Sequence, residues 1–498
     1  MEDDLKVLFI YPDDGFTGRN RFHRGVAQLS ACLKANGFDV GLLHISDESI
    51  APQVFLDRVR AHKPDMLAYS SITTQYPAVR RFAGLTRGLK IHTIYGGIHP
   101  TIAPDESIET PGIDAICKGE GDEAIVEYAR AFESGGDITS VHNFWVRQGE
   151  KVYRNQVHPL VTDLDKLPFP DFELFRYDKL DEYVYLKSAF VMCSRGCLFN
   201  CSYCCNHQLR ELYPNKKKYL RFRGVENVIR EIESLREKYP NISKIRFGDD
   251  TLAQDKDWFR ELVREYKKRV ALPFSTNDRV NNINEETVAL YKEAGCFCVD
   301  MGIESGNDYI RNSLFDRHVS KEKMIKAFHL LEKNGIQTGS FNIIGAPGET
   351  VSTVLETVKL NAICRPTTSV NSYLFPFPGS KILSICDERG LEITGLKKSQ
   401  VERPTIRLKT ATEEELVFGF NYFRTLTRLY KSLYRLGWAG GRLASVADTA
   451  ICSPYFPYRF FNLIYLNKAA VYSERYPRLV GFAKKIYRRY KLLFNKAK

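Results

Sequence analysis

Short apolar runs alternate with amphipathic stretches twice along this chain, over residues 5–146 and again from Ala189 onward. A chain patterned this way folds as parallel sheets flanked by helices. In the first series, strands are predicted at Val7–Tyr11, Val40–Ile45, Met66–Ser70, His92–Gly96 and Ala115–Lys118. A helix over about Val26–Asn36 stops at Gly37, a favourable C-terminal cap. The second series predicts strands at Ala189–Met192, Lys244–Gly248, Pro273–Thr276, Cys298–Ile303, Gly339–Ile344 and Val370–Phe375. Between its first two strands, Val225, Val228, Ile229, Ile232 and Leu235 line one face of a helix over Val225–Lys238. Asp163 to Asp181, with Pro168 and Pro170, reads as an irregular linker. A chain of 498 residues that is 44% hydrophobic can bury two or three cores. The expected organisation is α/β, with a first domain at 1–150, a linker at 151–185, a second domain at 186–395 and a C-terminal part at 396–498.

The charge is uneven. Residues 401–498 hold 19 Lys/Arg and 6 Asp/Glu, a net of +13, which leaves −1 for residues 1–400 out of a total of +12. The α/β body therefore gives no reason to expect nucleic acid. No run of 18 apolar residues occurs, so no spanning helix is expected. Met1 to Asp4 is acidic and the first apolar run is only Val7–Ile10, so no secretory leader is expected either. Twelve cysteines in 498 residues are too sparse for a disulfide framework, and the reducing cytoplasm is the expected compartment.

Three of those cysteines carry chemistry. Cys197, Cys201 and Cys204 form a Cys-x3-Cys-x2-Cys triplet directly after a predicted strand. Thiolate is the soft ligand that iron–sulfur clusters take, and three of them on one loop can hold three irons of a [4Fe–4S] cluster. A fourth iron is then open to a small molecule. A structural zinc site is the alternative, with His207 as fourth ligand, but the partner Cys or His pair of such sites is missing. Cys193 and Cys205 flank the triplet as bystanders. The spacing resembles the signature of the radical S-adenosylmethionine (SAM) enzymes, which also have an aromatic residue, here Tyr203, before the third cysteine. That resemblance implies SAM chelating the open iron, a partial (β/α)6 barrel of TIM type, and a one-electron donor such as flavodoxin or ferredoxin.

Further motifs follow the predicted strands of the second series, where barrels of this kind place their sites. Gly248-Asp249-Asp250 stands where the family often has Gly-Gly-Glu, and either Asp249 or Asp250 can accept from the SAM ammonium. Asn277 and Arg279 follow the third strand and Glu304-Ser305 the fourth, offering groups for ribose and the methionyl carboxylate. Gly345-Ala-Pro-Gly-Glu349 matches the family's loop near adenine, and Phe375-Pro-Phe-Pro-Gly-Ser380 resembles a stretch of its cobalamin-dependent members.

In the first domain the polar and glycine-rich segments also fall after strands: Ser70-Ser71-Ile72-Thr73, Gly96-Gly97-Ile98-His99 and Gly119-Glu120-Gly121. Ligands of doubly wound sheets sit there, and glycines let the backbone come close. No Gly-x-Gly-x-x-Gly follows the first strand, so a dinucleotide fingerprint is absent. The order of motifs resembles the Rossmann-like cobalamin-binding domain that precedes many radical SAM barrels. Asp-x-His-x-x-Gly does not occur, so no histidine of this domain is expected to ligate cobalt, whose lower face would meet a loop around Ile72 to Tyr76.

The tail predicts a helix over Glu413–Leu436 and two later aromatic and basic segments, Tyr455–Leu466 and Leu479–Phe494. A helical cap on the barrel is one reading. Peripheral contact with an anionic membrane, with a lipid-like substrate, is another, and RNA binding a third. The resemblance implies a cobalamin-dependent radical SAM enzyme acting on a small molecule. A 5′-deoxyadenosyl radical would take a substrate hydrogen and methylcobalamin would supply a methyl group. Such chemistry asks for no protein nucleophile or acid–base pair. The rivals are a ring-forming enzyme like the anaerobic magnesium-protoporphyrin ester cyclases and a non-catalytic cobalamin or iron–sulfur sensor.

Overall fold

A computed structural model describes residues 5–13, 21–47, 49–394 and 400–465. The first sheet has seven strands in the order β2-β1-β3-β4-β5-β6-β7. They are β1 Lys6–Pro12, β2 Asp39–Ile45, β3 Met66–Ser70, β4 His92–Gly96, β5 Ala115–Cys117, β6 Phe144–Gln148 and β7 Lys151–Arg154. β1 to β5 are parallel, and their runs of buried apolar residues reflect helices packed on both faces. β6 and β7 form an antiparallel hairpin at one edge. The sheet therefore reaches Arg154, four residues past the expected boundary at 150.

The linker is ordered by its own aromatics. Phe172 stacks on Phe22 with centroids 4.1 Å apart, and Phe175, Tyr177 and Tyr239 complete the cluster. Through it the cores of the two α/β units merge into one.

The second sheet is six parallel strands in the order β15-β14-β13-β12-β11-β8, an open barrel wall. Its strands are β8 Ser188–Val191, β11 Lys244–Phe247, β12 Phe274–Asn277, β13 Cys296–Glu304, β14 Gln337–Ile344 and β15 Thr368–Tyr373. Two short strands, β9 Ser194–Arg195 and β10 Arg221–Phe222, pair antiparallel and pinch off the cysteine segment as a loop. Helix Glu413–Tyr434 packs on helix Val351–Cys364 and on β14 and β15. A Thr412/Glu415 capping box starts that helix, and Leu416, Phe423, Leu426 and Tyr430 are its buried face. A second helix, Gly437–Ile451, completes the cap. Segment Leu479–Phe494 lies outside the described residues, as does the end of Tyr455–Leu466.

Candidate active site

The carboxyl end of the first sheet and the segments that follow β8 and β11 of the second face one cavity of about 650 Å³. One wall belongs to the first domain: Ser70, Ser71, Ile72, Gly96, Gly97, Gly119 and Gly121. The opposite wall carries Cys204, Cys205, Asn206 and Asp250.

The first wall is made of turns. Gly97 has φ +103°, and a Cβ there would lie 2.6 Å from the Ser71 carbonyl oxygen, so only glycine fits. Gly119, at φ +91°, donates its N–H to Thr101 Oγ1 (3.1 Å) and lies under the Tyr213 hydroxyl. Ser71 Oγ pairs with the buried Tyr95 hydroxyl at 2.6 Å. Ile72 is 37% exposed and presents an apolar face to the space.

Two expected contacts are not at this wall. Thr73 and His99 are fully buried behind it, with His99 Nδ1 3.3 Å from Thr73 Oγ1 and its ring stacked on Tyr76. The 3-10 turn Thr73–Gln75 and the short helix Ile98–Ile102 rotate them inward. His99 is thus a core residue. His23 does line the cavity, but its Nδ1 accepts from Val26 N–H (3.0 Å) as the cap of helix Arg24–Lys34. Burial lowers its pKa to about 4, so the ring is neutral and its proton sits on Nε2.

Glu120 lines the cavity as expected, but its carboxylate already has partners. Its carboxylate is paired with Arg221 (2.5 and 3.0 Å) and lies 3.7 Å from Arg195, which itself grips Asp122 (2.6 and 3.0 Å). Arg24 and Arg223 likewise share the buried Glu231 and hold its carboxyl below the usual range against the opposing effect of burial. Arg221–Glu120, Arg195–Asp122 and Arg24–Glu231 clamp the first domain onto the barrel, and Arg223 holds Glu231 from within the barrel. The three cross-domain pairs leave no local pattern in the sequence, because their partners lie 73 to 207 positions apart.

On the barrel side, the cysteine loop starts at Gly196, at φ +96°, where a Cβ would meet Tyr219 O at 2.4 Å. Arg210 Nη1 holds Leu198 O (2.7 Å), and Ser202 Oγ donates to Leu314 O (2.6 Å). Cys201 Sγ accepts from Arg279 Nη1 at 3.1 Å, and Cys204 Sγ from the N–H and Nδ2 of Asn206 at 3.5 and 3.6 Å. The Cys205 thiol, helped by the Asn206 N–H, holds the Cys204 thiol below its usual range despite burial. Among the described residues no three His, Cys, Asp or Glu side chains converge on one point as a single ion requires. A cubane makes no such demand, since each of its ligands binds a different iron. A soft sulfur set already receiving N–H donors fits a cluster.

The paired aspartates separate here. Asp249 is buried and accepts from Cys193 N (3.1 Å), Ser194 N (2.6 Å) and Ser194 Oγ (2.5 Å), so it braces the loop. Asp250 is exposed to the cavity and accepts from Asn206 Nδ2 (2.9 Å). Asp250 is the carboxylate free to meet a ligand. Arg279, expected at SAM, instead stacks 3.7 Å over Phe199 and donates to Cys201 Sγ and Arg317 O. Asn277 donates to Asp249 O (3.1 Å) and accepts from Arg246, inside the barrel wall. Glu304, at φ +61°, is pushed up by burial although Arg317 lies against it. It receives Tyr203 Oη at 3.0 Å and Arg317 Nη1 at 3.1 Å. Ser305 is buried, and its Oγ accepts from Asn307 N–H, closing a turn. Gly345, at φ +93°, donates to Glu349.

Comparison with known proteins agrees with this geometry. Residues 191–360 match the radical SAM superfamily and residues 21–129 the B12-binding domain. An uncharacterized methyltransferase of Pyrococcus horikoshii is 27% identical over 82% of this chain and 87% of its own length. The anaerobic magnesium-protoporphyrin IX monomethyl ester cyclase of Rubrivivax gelatinosus is 26% identical over 83% of this chain and 75% of its own length. The radical SAM methyltransferase TsrM of Kitasatospora setae, solved with cobalamin and a [4Fe–4S] cluster, shares the fold. Its TM-score is 0.63 at 19% identity, covering 77% of this chain and 78% of that one. The α/β architecture, the cysteine loop and both domain matches agree: the chain belongs to the radical SAM enzymes that carry an N-terminal B12-binding domain.

Proposed function

We propose that this protein is a cobalamin-dependent methyltransferase acting on an unactivated carbon of a small molecule. One observation carries the reading. The glycine turns of the first domain and Cys204 of the cluster loop open on the same cavity, so a methyl carrier and a radical source would reach one substrate. When bound, the cluster with SAM supplies a carbon-centred radical and cobalamin a transferable methyl group. The chain's own residues do the rest. Cys197, Cys201 and Cys204 would hold the cluster, Asp250 would accept from the SAM ammonium, and the Gly96-Gly97 and Gly119–Gly121 turns would seat cobalamin. The arginine clamps would keep the two walls in register.

Anaerobic incubation of reconstituted protein with SAM and a reductant tests this. 5′-Deoxyadenosine together with S-adenosylhomocysteine is the expected result. Deoxyadenosine alone would favour ring formation, the activity named for the Rubrivivax relative. Neither product would leave only a sensor.

The cap supports a finer proposal, peripheral contact with an anionic membrane and a lipid-like substrate. Leu436, Trp438, Leu443 and Val446 are exposed at the tip of the cap, beside exposed Arg428, Arg435 and Arg442. No helix of the described residues is long and apolar enough to cross a membrane. Sedimentation with anionic vesicles at low salt, lost in a Trp438→Asp/Leu443→Asp variant, is the expected outcome. Absence of sedimentation in the unaltered protein would end this part of the reading.

A further inference from the structure

We infer that the exposed turn Lys216–Lys218 is the docking surface for an acidic one-electron carrier protein that reduces the cluster. The inference rests on the radical SAM reading above and adds to it where the electron enters. Three ammonium groups stand together in a single 3-10 turn, all of them exposed. Lys216 pairs with Glu211, and among the described residues Lys217 and Lys218 have no carboxylate partner. On a body whose first 400 residues sum to −1, this is a concentrated positive patch.

The turn is rigid. Asn215 Oδ1 caps it by accepting from Lys218 N (3.4 Å). Tyr213 and Tyr219 flank it, both buried, with ring centroids 6.2 Å apart. Tyr213 Oη in turn accepts from Glu120 N (3.2 Å), pinning the turn to the first domain.

A second, independent observation connects the patch to the cluster. Tyr219 follows Lys218 directly, and its hydroxyl donates to Asn206 Oδ1 (3.5 Å). Asn206 donates through both its N–H and its Nδ2 to Cys204 Sγ. Two side chains therefore bridge the lysine turn to a cluster ligand. In the step itself the carrier loses one electron and the cluster gains one, and no covalent bond changes. Opposite charges steer such encounters and raise their rate at low salt.

The test is stopped-flow reduction of the anaerobically reconstituted holoenzyme. Reduced flavodoxin serves as the acidic probe, and photoreduced deazariboflavin as a small donor that needs no docking site. In a Lys217→Glu/Lys218→Glu variant the flavodoxin rate should fall at least about tenfold at low salt, and its dependence on ionic strength should flatten. The deazaflavin rate and the cluster EPR spectrum should stay unchanged, and Lys217→Arg/Lys218→Arg should behave as the parent. An unchanged flavodoxin rate would overturn the inference. So would an equal fall with both donors, which would make the turn a structural support. A parent protein without a cluster signal would sink the functional reading instead.

Discussion

The two walls of the cavity hold their loops in different ways. The first domain turns its loops on glycines in the left-handed region, Gly97 and Gly119, which place backbone against the space. The barrel braces its strand ends with buried carboxylates that accept backbone N–H groups. Asp249 holds Cys193 and Ser194, Asp278 holds Arg279 N (2.7 Å) and Tyr291 Oη, and Glu349 holds Gly345 and Ala346. Burial pushes all three carboxyls up. The contrast fits the two tasks proposed for these walls. A wall that seats a large, flat ligand by shape needs close backbone and small residues. A wall that carries reactive sulfur needs a loop that does not move, and an internal carboxylate ties several donors at once.

The most severe way to separate the walls is Cys201→Ala. It removes one of three sulfur donors, and the expected result is loss of the cluster's absorbance and EPR signal with cobalamin binding intact. Loss of both would mean that the walls fold only together. Asp249→Ala comes next. It leaves the Cys193 and Ser194 N–H groups buried and unpaired, each costing about 1–3 kcal/mol. A total of about 4 kcal/mol in urea unfolding is expected, with a fall in iron content but no change in the protein's affinity for cobalamin.

Gly97→Ala probes the other wall. A left-handed φ costs a side chain about 1–2 kcal/mol, and the 2.6 Å approach to Ser71 O adds overpacking of similar size. Cobalamin should bind about a hundredfold more weakly, read by equilibrium dialysis, while the cluster spectrum is unchanged. Unaltered affinity would remove this turn from the cobalamin seat.

How much of this was legible beforehand follows from the same contrast. Central strands of the first sheet such as β1 and β3 are nearly continuous apolar runs, whereas β8, β11 and β12 alternate and β15 is mostly half-exposed. Set between helical stretches, the parallel strands of both sheets all fall within about two residues of their expected places. The cysteine triplet and the glycine turns depend on short local spacing and were found for that reason. The β6–β7 hairpin was missed because Phe144-Trp145-Val146 is a continuous apolar run, and the alternation of buried Phe144 and Val146 with half-exposed Trp145 and Arg147 emerges only in the fold. The roles of Asp249 and Asp250, adjacent and alike, are set by what folds against them. Local spacing holds no trace of Cys193 and Ser194 lying on one and Asn206 on the other. Arg279 and Glu120 were assigned to ligands by neighbourhood, whereas long-range partners had already engaged them.

The smallest effect sharpens the barrel side of the comparison through pH. Glu349 is fully buried, Oε2 accepts from Gly345 and Ala346, and among the described residues Oε1 has no partner. Burial lifts its carboxyl from 4.5 to about 7, with the two N–H groups opposing the shift. A folded-state value above the unfolded one means that the neutral acid favours folding. Its contribution is whole below pH 4.5 and is lost as the pH rises through about 7, where the fold must carry a buried anion. Glutamine keeps the accepting oxygen and never ionises. Relative to the parent, Glu349→Gln should therefore gain about 2 kcal/mol of stability between pH 5 and pH 7. Paired thermal unfolding curves at the two pH values measure this. A difference between the two proteins that does not change with pH would show that Glu349 stays ionised in the fold, and the Gly345 loop would then be held by a charged brace.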